Sequence, residues 1–193
     1  MDGYSLITYT IFLSIFVWLF PPIKQYKTKY FLFFIIMAGA GTGATVLGKL
    51  TGTKANTFYP AIYLFLLYAL SVHKHRQFIL AAAVVSIMVF LVIKPGDTWL
   101  MGIPMVINIA MLIIVLSRIV ADLTERQELN LFKTLLFVYI AIDTVKLFDY
   151  AVMVTPGYRY YMLGVAAQIP FGIAFCFVNV NTKIFKLRVR ELS

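Results

Sequence analysis

The chain has few charged residues and few of the side chains that usually perform metal, redox or disulfide chemistry. Only 13% of its 193 residues are charged, whereas 62% are hydrophobic, a balance far from that of a soluble globular domain. Its single cysteine, Cys176, excludes a disulfide within the chain. We therefore expect a protein that is embedded in a lipid bilayer.

Histidine and acidic residues are few, so the sequence offers little for a haem, zinc or acid–base catalytic site. The two histidines, His73 and His75, share one short connection, so no pair of histidines inside apolar segments can bind haem. Two ligands are also fewer than an ordinary zinc site requires. No glutamate lies in an apolar segment, and the last segment has no lysine before Lys183 to carry retinal as in a rhodopsin. We therefore expect no metal, no cofactor and no enzymatic activity.

Seven apolar segments, separated by turn-forming or charged residues, predict an all-α polytopic membrane protein. The segments cover residues 4–20, 31–47, 57–72, 78–93, 99–116, 131–154 and 160–180. The shorter ones would span about 24–26 Å as helices, slightly less than the ~30 Å hydrocarbon core. We expect a bundle of seven transmembrane helices that forms one domain over residues 1–193 and includes a short basic tail at residues 183–193.

The positions of the basic residues predict the orientation of this bundle. With the N-terminus outside, twelve of the 17 lysines and arginines lie in inward-facing connections or in the tail, and four lie outside. This distribution follows the positive-inside rule, and a bundle with one helix fewer would not preserve it. The protein is therefore expected to be a multi-pass component of the plasma (inner) membrane. Because the basic residues are spread over short loops, we expect no nucleic-acid partner.

The sixth apolar segment carries a polar stripe. Tyr139, Asp143, Lys146 and Tyr150 fall within a sector of roughly 60° when residues advance by ~100° along a helix. Asp143 and Lys146 are three residues apart, so they share a helix face. A charge at the bilayer centre costs at least ~2.5–3.5 kcal/mol on insertion scales, so this stripe is expected to face other helices or an internal cavity.

Two further polar residues are expected near the same depth. Asn108 and Gln168 lie at the middles of the fifth and seventh segments, close to Pro104 and Pro170. Polar groups beside interrupted helices are typical of transporter sites. The same residues would also make a structural network in which Asp143 is paired and capped. The sequence leaves both interpretations open: a ligand or ion site, and a network that holds the helices together.

Small residues in the second segment predict close helix packing. Gly39 and Gly43 form a small-xxx-small pair that would let another backbone approach, either within the chain or in a homodimer, with the internal contact favoured. The run from Gly43 to Lys49 also has phosphate-loop spacing. However, Leu50 stands where a magnesium-binding serine or threonine is required, and no strand precedes the run. We therefore expect no nucleotide site.

The connection over residues 122–130 is the longest between two segments. Thr124 and Gln127 have the spacing of a capping box, as do Asp122 and Glu125. This pattern predicts that the sixth helix begins near Glu125, with a polar turn that extends into the cytoplasm before the helix enters the membrane.

Two resemblances bear on function. The stretch NTFYPAIY at residues 56–63, together with the short chain and the basic tail, resembles uncharacterised seven-helix bacterial membrane proteins akin to the membrane sensor regions of histidine kinases. That resemblance implies a sensing role but no ligand and no catalytic residue. The seven-segment layout with an outside N-terminus also resembles that of SWEET sugar transporters, in topology only.

We therefore expect a small membrane-embedded sensor or accessory subunit that acts through a partner, because the sequence shows no soluble output domain. The alternative is a small facilitative or ion-coupled transporter that uses the polar cluster at the membrane centre. The expected partners are the lipid bilayer and a second protein or another copy of the chain, and the ligand is not identified.

The predicted topology can be tested by thiol labelling. In a chain with Cys176→Ser, a cysteine introduced as Ser193→Cys should resist impermeant thiol reagents in intact cells, because the C-terminus is expected inside. The same cysteine should react once the cells are permeabilised. Labelling from outside intact cells would contradict the seven-helix topology.

Overall fold

The computed structural model describes residues 3–71, 75–93, 96–152, 159–180 and 186–188, and most of them are helical. The α-helices are α1 (Gly3–Trp18), α2 (Pro21–Lys24), α3 (Phe31–Thr51), α4 (Tyr59–Leu70), α5 (Arg76–Ile93), α6 (Asp97–Arg126), α7 (Leu131–Val152) and α8 (Arg159–Phe177). A 3₁₀ turn, Ala55–Phe58, precedes α4, and the three-residue strands β1 (Glu128–Asn130) and β2 (Lys186–Arg188) pair in antiparallel fashion.

The helix boundaries follow from local chemistry. Pro21 and Pro22 begin α2, where the missing N–H groups of proline cost nothing. Gly52 ends α3 in the left-handed conformation with φ 65°, and its N–H bonds to the carbonyl of Gly48. Pro60 lies in the first turn of α4. The breaks predicted after residue 20 and between residues 47 and 57 therefore coincide with helix ends, whereas Pro60 lies inside a predicted segment.

Among the described residues, three helices are long and apolar enough to cross a membrane: Phe31–Thr51, Arg76–Ile93 and Trp99–Arg126. Three shorter apolar helices, Tyr9–Lys24, Ala55–Leu70 and Leu163–Phe177, accompany them. The all-helical class and the membrane-spanning composition of these elements agree with the sequence. The number of spans and their orientation stay predictions.

The boundary between α6 and α7 differs from the sequence prediction. The polar turn near Glu125 belongs to the end of α6, which continues to Arg126, and α7 begins at Leu131. Gln127 ends α6 in a left-handed conformation, and its N–H bonds to the carbonyl of Asp122. The capping-box spacing was therefore misleading.

Side chains from distant parts of the chain cap the C-terminal ends of α8 and α4. The buried amide of Gln25 donates to the carbonyls of Phe175, at 3.2 Å, and Val178, at 2.7 Å, at the end of α8. The guanidinium of Arg118 donates to the carbonyl of Leu70 at the end of α4. These bonds satisfy terminal carbonyls that a helix leaves unpaired.

An aromatic cluster forms the core between these helices. The rings of Trp18 and Tyr139 lie 4.8 Å apart, and those of Phe34 and Phe175 lie 4.9 Å apart. Phe132 extends the cluster, with its ring 5.5 Å from that of Phe175. Edge-on and tilted contacts of this kind stabilise a core beyond the area that they bury. The cluster joins α1, α3, α7 and α8 into one packed unit.

The predicted close packing at Gly39 and Gly43 is wrong for contacts within the described chain. A Cβ atom added at either glycine would meet no atom within 4 Å. The tight approaches occur at other glycines. At Gly48 a Cβ would lie 2.9 Å from the carbonyl oxygen of Thr53, and at Gly172 it would lie 2.7 Å from a methyl group of Val17. The sequence motif identified small residues, but the chain fold determines which of them face a neighbouring backbone.

These two classes of glycine make a matched mutational test. Gly48→Ala should lower the thermal stability of the purified protein, because its new methyl group would press on backbone and overpacking costs typically ~1–3 kcal/mol. Gly39→Ala should leave stability unchanged or raise it, because alanine is the better helix former and nothing obstructs it. Melting curves in one detergent provide the comparison. Equal destabilisation by both changes would contradict the packing described here.

Candidate functional site

Asp143, in the middle of α7, receives four hydrogen bonds. Its Oδ2 accepts from the Tyr63 hydroxyl at 2.6 Å and from the Asn108 amide at 2.9 Å. Its Oδ1 accepts from the Lys146 ammonium at 2.6 Å and from the Gln168 amide at 3.1 Å. These donors belong to α4, α6, α7 and α8, so a single carboxylate joins four helices. We call these five residues the Asp143 network.

The network is buried. Asp143 is 5% exposed and Asn108 is 1% exposed, and the side chain of Lys146 is 12% exposed. Removing a charged pair from water is costly, and the pair is tolerated when geometry and further hydrogen bonds compensate. Here the two charges cancel, and neutral donors occupy the remaining acceptor positions of the carboxylate. The pair predicted from the sequence is therefore formed in the structure, and polar donors surround its carboxylate.

Not all residues of the predicted polar cluster bond to Asp143. Asn108 and Gln168 both bond to Asp143, as their depth suggested. Tyr139 is buried, but its hydroxyl lies 3.8 Å from the sulfur of Met37. Its ring belongs to the aromatic cluster, so Tyr139 supports the site without bonding to the carboxylate. The side chain of Tyr150 falls outside the described part of the chain.

Two members of the site were missed. Tyr63 makes the shortest neutral bond to the carboxylate, although the predicted cluster left it out. Its position at the middle of the third apolar segment was the signal that could have identified it. Gly164, on α8, gives space to the aliphatic stem of Lys146, because a Cβ there would lie 3.0 Å from two of its carbons. A larger residue would push the ammonium away from Asp143.

A cavity of about 170 Å³ lies beside the network. Asp143, Lys146 and Gln168 contribute its polar side. The remaining wall comes mainly from apolar residues of α1, α3 and α4, including Ile15, Trp18, Gly41, Ile62 and Leu66. A space with one polar side and several apolar walls suits a small amphipathic molecule.

The acceptor positions of Asp143 are already filled by protein donors. A carboxylate has about four lone-pair sites, and four donors already occupy those of Asp143. Within the described ranges, no group of three or more histidine, cysteine, aspartate or glutamate side chains comes together to hold a metal ion. A molecule in the cavity would meet a neutralised ion pair and an amide on one side, and apolar surface on the others.

The ion pair can be tested with four proteins. Asp143→Asn and Lys146→Met should each destabilise the protein strongly, because breaking a buried pair typically costs about 3–5 kcal/mol. The double variant should recover much of the loss, since neither charge is then stranded. Thermal melting of parent, single and double variants measures the coupling. A single variant as stable as the parent would contradict a buried pair.

A scan against protein-family models and searches of curated proteins and solved structures found no match to this chain. The resemblances to seven-helix sensor regions and to the SWEET layout therefore stay predictions.

Proposed function

We propose that the protein is a multi-pass component of the plasma (inner) membrane that binds a small amphipathic molecule beside Asp143 and acts through a protein partner. On this proposal it is a sensor or accessory subunit and not an enzyme. Its seven spans would place the N-terminus outside and the connection between α6 and α7 inside, as the basic residues favour.

The observation that carries the proposal is the position of the cavity against the Asp143 network. Tyr63, Asn108 and Gln168 bond to one carboxylate from three different helices. A molecule that competes for one of these bonds would change the relative stability of helix arrangements. A ligand shifts such an equilibrium only through different contacts in the two states, and this shared carboxylate is a place where they can differ.

Helix α6 offers a path from the cavity to a partner. Asn108 bonds to Asp143, and the same continuous helix ends at the exposed turn formed by residues 124–127. That turn lies about 24 Å along the axis from Asn108 at ~1.5 Å per residue. A displacement of α6 at the network would therefore move a polar surface outside the apolar segment, where a second protein can bind.

The ligand is inferred from the lining. It would carry one polar group that hydrogen-bonds to Lys146 or Gln168, and a small apolar body that fits against Trp18 and Leu66. Its own negative charge is not required, because Asp143 already neutralises Lys146.

A small transporter is the alternative. Pro104 and Pro170 lie inside α6 and α8 near the network, and proline removes a backbone bond that a transport site can use. The four occupied acceptor positions of Asp143 favour facilitative over ion-coupled transport.

The experiment blocks the cavity without touching the network. Gly41 lines the cavity and has open space at its Cβ position, whereas Gly39 is exposed on the same helix. Gly41→Leu should displace a bound molecule, and Gly39→Leu is the matched control. Proteins purified from native membranes would be compared by native mass spectrometry, and partners would be captured by crosslinking before solubilisation.

We expect the parent and Gly39→Leu to retain the same small molecule and the same crosslinked protein, and Gly41→Leu to lose the molecule and alter the crosslink. An identical ligand and crosslink pattern in all three would contradict the proposal. Proteoliposome flux of the co-purified molecule, blocked only by Gly41→Leu, would instead establish the transporter.

A further inference from the structure

A second polar pocket lies at the end of the bundle, between the α2–α3 connection, the end of α6 and the start of α7. Its volume is about 310 Å³. Four basic and two acidic side chains line it: Lys27, Lys29, Arg126, Lys133, Asp122 and Glu128. We call it the basic pocket. It shares no lining residue with the cavity beside Asp143.

The two lysines of the α2–α3 connection give the basic pocket its excess of positive charge. Lys133 forms an ion pair with Asp122. In contrast, no carboxylate of the described residues lies within ion-pair distance of Lys27 or Lys29. The ammonium groups of these two lysines lie 5.7 and 5.4 Å from the ring centres of the adjacent tyrosines. Cation–π contacts orient an ammonium group but do not neutralise it.

The electrostatic environment of Lys29 reflects this excess. Partial burial and repulsion from Lys133 and Arg118 lower the pKa of Lys29, and Asp122 offsets only part of the effect. A bound anion would relieve this repulsion.

The N-terminal end of α7 lies at the basic pocket. The side chain of Asn130, which lines the pocket, accepts bonds from the N–H groups of Phe132 at 3.1 Å and Lys133 at 3.4 Å and so caps α7. The partial positive charge at the start of this 22-residue helix lies beside the pocket and adds to the charge of the lysines. Lys27 has φ 65°, a conformation uncommon for residues other than glycine, and such strain clusters at functional positions.

We propose that the basic pocket binds a phosphate-bearing anion, supplied by the headgroup of an anionic phospholipid or by a soluble phosphate compound. A phosphate group offers several charged oxygens, so it can contact more than one of these cations at once. The lipid source is consistent with exposed apolar side chains that come shortly before Lys27 in the chain: Ile23 is 73% exposed and Tyr26 is 61% exposed. The proposal goes beyond the proposed sensing function and does not require a ligand beside Asp143.

The test compares the apparent Tm of the full-length protein in nanodiscs of phosphatidylcholine alone and of phosphatidylcholine with phosphatidylglycerol. In parallel, detergent-solubilised protein is melted with and without inorganic phosphate. The pocket variants are Lys29→Gln and Arg126→Gln. Lys24→Gln is the matched control, because Lys24 is an exposed lysine near the same end of the bundle that does not line the pocket.

We expect phosphatidylglycerol to raise the Tm of the parent and of Lys24→Gln by about 5 °C or more when the lipid exceeds its Kd about a hundredfold. Both pocket variants should lose most of this gain. Lys29→Gln should melt no lower than the parent in phosphatidylcholine, since it removes a repulsive charge. A gain with inorganic phosphate in detergent, lost in the same variants, would identify the soluble source.

The proposal is overturned if neither anion raises the Tm, or if Lys24→Gln loses the gain as fully as the pocket variants do. The second outcome would mean diffuse attraction to the surface. Gly41→Leu should keep the lipid effect, so failure of the basic pocket and failure of the Asp143 cavity can be distinguished.

Discussion

Neutralising one carboxylate inside an apolar bundle is the constraint on which the rest of the structure depends. Lys146 supplies the opposite charge from the same helix, but the remaining acceptor positions of Asp143 are filled from α4, α6 and α8. A buried charge that loses a partner is costly. These bonds therefore constrain the rotation and depth of the helices that carry the donors relative to α7, and the cavity against α1 and α3 lies beside this arrangement.

Two glycines of α8 lie in close contact with side chains of other helices, where a larger residue would not fit. Gly164 lets the stem of Lys146 pass close to α8, so that the ammonium reaches Asp143. Gly172 gives space to Val17, next to the aromatic cluster around Trp18. Gly41, in contrast, borders the cavity, and a Cβ atom added there would meet no atom within 4 Å. Small residues thus have two distinct effects in this bundle: they allow close packing, and they leave space.

Helix α6 connects the two candidate sites. Near its middle, Asn108 donates to Asp143. At its end, Asp122 and Arg126 line the basic pocket, and Arg118 closes the end of α4. A rigid helix that takes part in both sites can couple them if each ligand favours a different position of that helix. The central cavity and the basic pocket would then communicate through one displacement.

Sequence by itself determined the helical, apolar character of the chain and the Asp143–Lys146 pair, because periodicity and the cost of a buried charge act locally. Tertiary structure decided the rest. The sequence predicted Tyr139 as a member of the polar cluster and left out Tyr63, yet Tyr63 bonds to the carboxylate and the hydroxyl of Tyr139 meets Met37. Gly39 matched a packing motif but faces no backbone within the described chain. Which face of a helix meets which neighbour depends on contacts far apart in sequence, and a local pattern does not contain them.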